Sequence, residues 1–264
     1  MADEPAGLDA AQIVALLDDP NRFQVQCFDS TGSTNDDIRR LAEAGHPEGA
    51  VIFAEEQTSG RGRRGRGWEA PKGQGLLFSA LLRPGVEPAL WPRVTHLAAL
   101  AICRAASPYL PTRPLIKWPN DVLVHRKKLC GILLESGSHH SEGFLILGIG
   151  LNVNQGRSHF SPELQETATS IHLECAKIHS REECAAAVLN AFAALYPGGI
   201  EPFDACLKEL SEQSALLGKE VTLRQDAREL LGVVTGFGPS GELELETPDG
   251  RRRLISAGEL VRFR

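Results

Sequence analysis

The sequence predicts an α+β fold that is followed by a small all-β domain, and three observations lead to this prediction. Short apolar stretches typical of strands alternate with helical patterns up to about Ser214. Beyond that residue only brief β-like runs follow. The length of 264 residues allows one large and one small domain at roughly 150 residues per domain. We therefore predict a first domain at 1–214 and a second at 215–264.

The elements of the first domain are predicted from hydrophobic periodicity. Strands are expected at 23–28, 50–54, 76–82, 115–118, 122–125, 130–135 and 143–151. Helices are expected at 8–17, directly after the turn at 30–35, at 91–106, and after the capping box that begins at Ser180. The turn between the strands at 122–125 and 130–135 is expected at 126–128. Residues 56–75 are rich in glycine and arginine and lack periodicity, so we expect a long functional loop there.

The second domain is predicted from four short runs at 219–224, 230–237, 242–246 and 252–256. Their connections carry Pro239-Ser240-Gly241 and Asp249-Gly250, which are typical of hairpin turns. Strands of this length and spacing predict a small β-barrel.

Composition and charge exclude several classes of protein. Hydrophobic residues make up 42% of the chain and charged residues 23%, which is typical of a globular protein. The net charge of -6 argues against a general nucleic-acid coat. The six cysteines form no Cys-x-x-Cys pair, which favours a reducing compartment and a cytoplasmic location. No apolar segment resembles a secretory signal or approaches the ~20 residues of a membrane span.

The segment from Gly60 to Trp68 alternates glycine with arginine. Glycines allow backbone N–H groups to approach an anion closely, and arginines supply planar forks for phosphate or carboxylate. An anion-binding lid is the first interpretation. A nucleic-acid segment and a solvated charged loop are the alternatives.

Four further segments are candidates, each with a purely structural alternative. Lys117-Trp118-Pro119-Asn120-Asp121 places a lysine in a rigid setting, although Asn-Asp is also common in surface turns. One glycine in the apolar run 128–136 and two in the run 148–154 indicate close approach of a ligand or of another backbone. Ser33-Thr34-Asn35 is by itself most simply a helix cap, yet it can also donate to a small polar ligand.

Taken in this order, the segments resemble the biotin protein ligases over about residues 8–264. The resemblance rests on Ser33-Thr34-Asn35, on 56–66 with Trp68, on 117–121, on 128–133 and on 150–154. It implies a mixed β-sheet flanked by helices, as in class II aminoacyl-tRNA synthetases, with an SH3-like C-terminal barrel. It also implies two half-reactions. Biotin attacks MgATP to give biotinyl-5′-AMP and pyrophosphate, and a lysine of a biotin carboxyl carrier domain then displaces AMP.

The resemblance also implies roles for individual residues. Lys117 and Arg63 are expected to be catalytic. The residues expected to contact biotin are Ser33, Thr34, Asn35, Gln57, Arg61, Gly62, Arg63, Lys117, Gly131 and Ile132. Those expected to contact ATP or the adenylate are Arg63, Trp68, Lys117, Lys128 and Asn152. Asp121 is a candidate ligand for Mg²⁺.

Partners and alternatives follow from the same comparison. The residues before Ser33 supply one helix and one strand, so we expect no operator-binding domain, no DNA partner and no membrane partner. A homodimer is possible. The alternative within the superfamily is a lipoate or octanoate ligase or transferase. The non-enzyme alternative is a nucleic-acid binder with an SH3-like module, which would show steeply salt-dependent binding.

Overall fold

Six α-helices and twelve strands lie within residues 7–140, 142–225 and 228–263, which a computed structural model of the chain describes. The helices are α1 Ala10–Ala15, α2 Thr34–Glu43, α3 Arg93–Ala106, α4 Ile171–Cys175, α5 Arg181–Leu195 and α6 Asp204–Glu212. The strands of the first sheet are β1 Gln24–Thr31, β2 Ala50–Gln57, β3 Gly75–Leu82, β4 Leu115–Lys117, β5 Asp121–Val124, β6 Lys127–His139 and β7 Glu142–Asn152. The strands of the second sheet are β8 Glu220–Gln225, β9 Arg228–Phe237, β10 Leu243–Glu246, β11 Arg252–Ile255 and β12 Glu259–Phe263.

The first sheet is mixed, which confirms the predicted class. Its strand order is β1-β2-β3-β7-β6-β5-β4, with β1 parallel to β2 and the other pairs antiparallel. Helix α2 connects the parallel pair and packs with Ile38 and Ala42 on one face of the sheet. Helices α3 and α5 belong to the larger hydrophobic core, which covers the other face. Because both faces are covered, β3 is buried along its whole length.

The second sheet is antiparallel throughout, in the order β11-β10-β9-β8-β12. This confirms the predicted small all-β domain at the C-terminal end. Among the described residues the two edge strands form no ladder with each other, so the sheet does not close into a complete barrel. The boundary at residue 215 stays a prediction.

The structure corrects or extends three local predictions. The turn expected at 126–128 is a two-residue turn at His125 and Arg126, both with positive φ, so Lys128 lies inside β6. Helices α4 and α6 and strand β12 were not predicted. The long loop is confirmed in its position, but it contains a short antiparallel bridge between Arg61 and Gly67. No helix in the described part of the chain is long and apolar enough to cross a membrane.

Trp118 joins the two sheets. Its indole is 2% exposed and belongs to the hydrophobic core of the second sheet, with Leu216 and Val234 among its members. The indole Nε1 donates to the carbonyl oxygen of Gly241, at 3.1 Å, in the turn between β9 and β10. His96 of α3 packs against the same glycine. The second sheet is therefore anchored beside the strand that ends in Lys117.

Candidate functional site

Two adjoining cavities open at the ends of β2, β6 and β7. The first encloses about 460 Å³ and the second about 1600 Å³, counting their open mouths. Five residues line both cavities: Gly62, Arg63, Trp68, Asn120 and Lys128. A molecule that fills the first cavity would therefore meet a second ligand at this shared boundary.

A cluster of buried polar side chains closes the inner end of the first cavity. Gln57 Oε1 accepts from the backbone N–H of Thr34 at 2.8 Å and from the Thr34 hydroxyl at 3.1 Å. The Thr34 hydroxyl lies 2.7 Å from the hydroxyl of Ser79, which donates to Asn35 Oδ1 at 2.5 Å. Asn35 Nδ2 donates to Glu135 Oε2 at 2.7 Å. This network fixes the rotamers of the cluster before any ligand binds.

Ser33 occupies the N-cap position of α2, but its side chain makes no cap hydrogen bond. The residue is only 3% exposed and lines the first cavity. A buried hydroxyl gains free energy from a hydrogen-bonding partner. Since the expected cap bond is absent, the Ser33 hydroxyl is available to a polar ligand group at the positive end of the helix.

Two glycines form a flat floor under the indole of Trp68. Gly131 of β6 and Gly150 of β7 are paired directly across the sheet. A Cβ at Gly131 would lie 2.7 Å from the ring, and one at Gly150 would overlap it. The Trp68 Nε1 is buried and has no hydrogen-bond partner among the described residues. Ile132 continues the apolar wall of the first cavity.

The lid loop, defined as residues 60–68, covers the boundary between the cavities. Its hairpin shape comes from backbone bonds between Gly62 and Arg66 and between Trp68 and Gly60. Arg61 forms a bidentate pair with Asp36 of α2, at 2.7 and 2.5 Å. This hydrogen-bonded pair lowers the pKa of the Asp36 carboxyl below its usual value. The lid is thereby fixed to the helix that carries the polar cluster.

Arg63 is the lid arginine that points to the boundary. Its Nη1 donates to Asn120 Oδ1 at 3.2 Å, and Asn120 is held by two bonds to the backbone of Ile132. Among the described carboxylates none forms an ion pair with Arg63, whereas the other three lid arginines are paired. Burial and the neighbouring Arg64 lower the pKa of this guanidinium, against a smaller opposing influence of Asp121. An anionic ligand would supply the missing partner.

Two lysines face the second cavity around one carboxylate. Lys128 Nζ lies 2.7 Å from Asp121 Oδ1 and 5.2 Å from the centre of the Trp68 ring. Lys117 Nζ lies 3.8 Å from Asp121 Oδ2 and lines the second cavity. The pair gives this wall a local excess of one positive charge, to which Arg63 adds another.

The possible metal ligands at this site suit an Mg²⁺ ion that arrives bound to a nucleotide. They do not suit an ion that protein side chains alone surround. The described residues contain no group of three or more His, Cys, Asp or Glu placed to hold a metal ion. Asp121 offers one carboxylate at the wall of the second cavity. Mg²⁺ commonly uses one or two carboxylates together with phosphate oxygens and waters.

Asn152 lies at the floor of the second cavity and is 4% exposed. Its Nδ2 donates to the carbonyl oxygens of Thr169 and Lys128, at 2.9 and 3.4 Å, and its Oδ1 accepts from Gln155. The amide protons are therefore engaged, while Oδ1 keeps one free acceptor site. Such an oxygen can accept a bond from an exocyclic amino group.

The structure thus distributes the predicted residues over two cavities. The first is lined by Ser33, Thr34, Asn35, Gln57, Arg61, Gly62, Arg63, Trp68, Lys128, Gly131 and Ile132. The second is lined by Gly62, Arg63, Trp68, Lys117, Asp121, Lys128 and Asn152. Lys117, expected at both ligands, lies on the second cavity alone.

Three residues at the site were not singled out from the sequence. Ser79 is a polar residue in an otherwise apolar strand, and this exception is visible in the sequence. Asn120 belongs to a motif that was recognised, but it received no role. Glu259, which pairs with two lid arginines, carries no local signal.

Comparison with known proteins agrees with this geometry. Residues 26–154 match the biotin/lipoate A/B protein ligase family, and residues 216–261 match the biotin protein ligase C-terminal domain. The bifunctional ligase/repressor BirA of Bacillus subtilis is 33% identical over 87% of this chain and 71% of its own length. The biotin–[acetyl-CoA-carboxylase] ligase of Paracoccus denitrificans is 34% identical over 87% of this chain and 97% of its own.

A solved structure supports the same relationship. The biotin protein ligase of Aquifex aeolicus, in complex with biotin and ATP, superposes with a TM-score of 0.78 at 30% identity. The match covers 91% of this chain and 98% of the other. Sequence and structure together show that this chain belongs to the biotin protein ligase family.

Proposed function

We propose that this protein attaches biotin to a lysine of a biotin carboxyl carrier protein, with ATP as the second substrate and biotinyl-5′-AMP as the intermediate. The observation that carries the proposal is the pair of adjoining cavities, which share a boundary lined by Arg63 and Lys128. One cavity has a polar inner end and an apolar wall. The other is larger and cationic. This arrangement suits a ring with a carboxylate-terminated tail beside a nucleotide.

The polar cluster is proposed to hold the ureido ring of biotin. A ureido group has two N–H donors and one carbonyl acceptor. The inner end carries amide and hydroxyl groups of Thr34, Asn35 and Gln57, and the Ser33 hydroxyl, which makes no cap bond, can donate to the carbonyl. The apolar wall at Ile132 then receives the tail, so that its carboxylate reaches the boundary at Arg63.

The cationic boundary is proposed to make the first half-reaction possible. A carboxylate oxygen must attack the α-phosphorus of ATP, although both groups are negatively charged. Arg63, Lys117 and Lys128 lower this repulsion and stabilise charge on the phosphoryl oxygens as pyrophosphate leaves. Mg²⁺ bound to the triphosphate, with Asp121 as a candidate ligand, neutralises further charge. Trp68 and Asn152 are proposed to receive the adenine, by stacking and through Asn152 Oδ1.

The second half-reaction transfers biotin from the mixed anhydride. The neutral amine of the acceptor lysine attacks the acyl carbon, the C–O bond to phosphate breaks, and AMP leaves. The amine proton passes to solvent. No covalent intermediate with this protein is needed. The lid loop keeps water from the anhydride until the carrier arrives.

The decisive test is pyrophosphate release from ATP and magnesium without an acceptor. We expect release that depends on biotin, with biotinyl-5′-AMP retained on the protein. Addition of a carrier domain should then give biotinylation of its lysine, and a carrier with that lysine changed to arginine should stay unlabelled. Release with lipoate or octanoate but not with biotin would contradict the proposal.

Lys117→Ala is expected to abolish biotin-dependent pyrophosphate release while the protein stays folded, because it removes a fixed cation from the second cavity. Thermal unfolding supplies the folding control. Unchanged pyrophosphate release would remove Lys117 from its proposed role.

Arg63→Gly is expected to release biotinyl-5′-AMP into solution and to label lysines of bystander proteins, because the boundary loses its unpaired guanidinium. The measurement compares free adenylate from the purified variant and the wild type. Equal release would refute the role of Arg63 in the lid.

The polar inner end of the first cavity favours biotin over lipoate. The dithiolane ring of lipoate has no strong hydrogen-bonding group, so the cluster around Thr34 and Gln57 would lose partners. Sites built to hydrogen-bond a substrate reject analogues that lack the group by up to about 10⁴–10⁵. The cytoplasmic location, the possible homodimer and the absence of DNA binding stay predictions.

A further inference from the structure

The lid loop is anchored to the second sheet by a single carboxylate. Arg64 Nη1 lies 3.0 Å from Glu259 Oε2, and Arg66 pairs with Glu259 Oε1. The side chains of the two arginines are 41% and 66% exposed, and that of Glu259 is 25% exposed. One acidic residue, 195 positions from Arg64 in the sequence, therefore holds two neighbouring lid residues.

The position of Glu259 is unexpected for an acidic residue. It is the first residue of β12 and, together with Leu260 and Phe263, lines the second cavity. A carboxylate in a cavity that is to hold a triphosphate repels it unless cations neutralise the carboxylate. Arg64 and Arg66 do so, and the same two contacts fasten the lid.

The lid is consequently held at both ends. Arg61 fixes one end to Asp36 of α2 in the first domain. Arg64 and Arg66 fix the other end to β12. Arg63 lies between these anchors and is free of ion pairs with the described carboxylates. Anchors on both sides define where its guanidinium can point.

We propose that Glu259 is a positioning residue that keeps the lid loop closed, so that the second sheet controls how long the acyl-adenylate is retained. The proposal rests on the proposed function for the identity of the retained intermediate. Glu259 acts through its contacts with Arg64 and Arg66, and we call these two contacts the latch.

The expected effect is moderate. Exposed ion pairs are individually weak, so the loss of two pairs is expected to accelerate lid opening by about two- to tenfold. The effect should diminish in high salt, because exposed charges are screened. A change of hundreds-fold would indicate a different role.

The test compares Glu259→Gln with Glu244→Gln in the full chain. Glu244 is a matched control, because its side chain is 24% exposed and pairs with Arg252 at 3.4 Å within the same sheet. The first measurement needs no ligand. Trypsin cleaves after arginine, so the rate of cleavage within the lid loop, identified by mass spectrometry, reports its opening. We expect Glu259→Gln to be cleaved about two- to tenfold faster and Glu244→Gln to be cleaved like the wild type.

The second measurement is the rate of biotinyl-5′-AMP release after its synthesis on the protein. We expect faster release and more bystander labelling for Glu259→Gln than for Glu244→Gln or the wild type. In the Glu259→Gln background, Arg64→Gln should add less to release than it does in the wild type, because both changes break the same contact.

The outcomes separate the latch from the proposed function. Equal lid cleavage in both glutamine variants would overturn the latch whatever the enzyme does. So would a lower KM for ATP without faster cleavage or release, since Glu259 would then act only by repelling nucleotide. Faster lid cleavage without any biotin-dependent pyrophosphate release in the wild type would support the latch and contradict the proposed function.

Discussion

Low pH is expected to destabilise the contact between the two sheets through protonation of His96. This side chain is 4% exposed, lies on α3 and packs against Gly241, whose carbonyl oxygen accepts from Trp118. Its Nδ1 has no hydrogen-bond partner among the described residues. Burial lowers the pKa of His96 from 6.5 to about 4, against a smaller opposing influence of the Gly241 backbone and Glu242. The imidazole is therefore neutral in the folded protein.

The magnitude follows from the difference between the two states. Between pH 6.5 and 4 the unfolded chain binds a proton at this histidine that the folded chain does not bind. The free energy of unfolding therefore falls as the pH falls through this window. At pH 5.5 the free energy of unfolding is lower than at neutral pH by roughly 1 kcal/mol, and the full loss below pH 4 is about 3 kcal/mol.

The assay is urea unfolding at pH 7.5 and 5.5, followed by tryptophan fluorescence. His96→Met has a similar volume and cannot titrate, so its free energy of unfolding should fall by roughly 1 kcal/mol less than that of the wild type between the two pH values. His159→Gln, a change at an exposed histidine, should keep the wild-type pH dependence. If His96→Met shows the same loss as the wild type, His96 is not the group responsible and the reasoning fails.

Two further predictions concern the floor of the site and the core. Gly150→Ala should raise the KM for ATP with little change in stability, because the added methyl overlaps the ring of Trp68 and displaces it. Gly85→Ala, where a Cβ meets no atom within 4 Å, is the control, and equal KM values would argue against the floor. Arg181→Met should lower the free energy of unfolding by about 3–5 kcal/mol, because it leaves the buried Glu55 carboxylate without the guanidinium 2.6 Å away. In urea unfolding, a loss below 1 kcal/mol would show that the pair is not a major contributor.

The sequence predicts those elements whose signal is local. The apolar runs that become β2, β3 and β7 were recognised because a sheet covered on both faces needs continuous hydrophobic strands. The turn before β6 was misplaced by one or two residues. His125 and Arg126 both adopt positive φ. Glycine or asparagine is the usual residue at such positions, and neither is present here to mark the turn in the sequence. Helix α6 was missed although Cys206 and Leu210 are four residues apart and buried.

The site shows a similar division between local and distant information. Ser33 is indistinguishable from an ordinary helix cap in the sequence, and only the structure shows that its side chain makes no cap hydrogen bond. Glu259 offers no signal at all, because its partners lie 193 and 195 positions earlier and only the docking of the second sheet brings them together. The distance between Glu259 and the lid is set by tertiary packing, and no short stretch of the sequence carries that information.

Trp118 shows how a recognised motif can hold a second role. The sequence pattern from Lys117 to Asp121 predicts a chemical role for the lysine, with the tryptophan as a rigid support. In the structure that indole is a core residue of the other sheet, bonded to Gly241, which lies 123 positions later. The residue before it is the lysine of the second cavity, so the packing of one sheet sets the position of a charge in the other. A change that loosens the turn at Gly241 should therefore disturb Lys117 before it disturbs the polar cluster, and ATP affinity should fall before biotin affinity does.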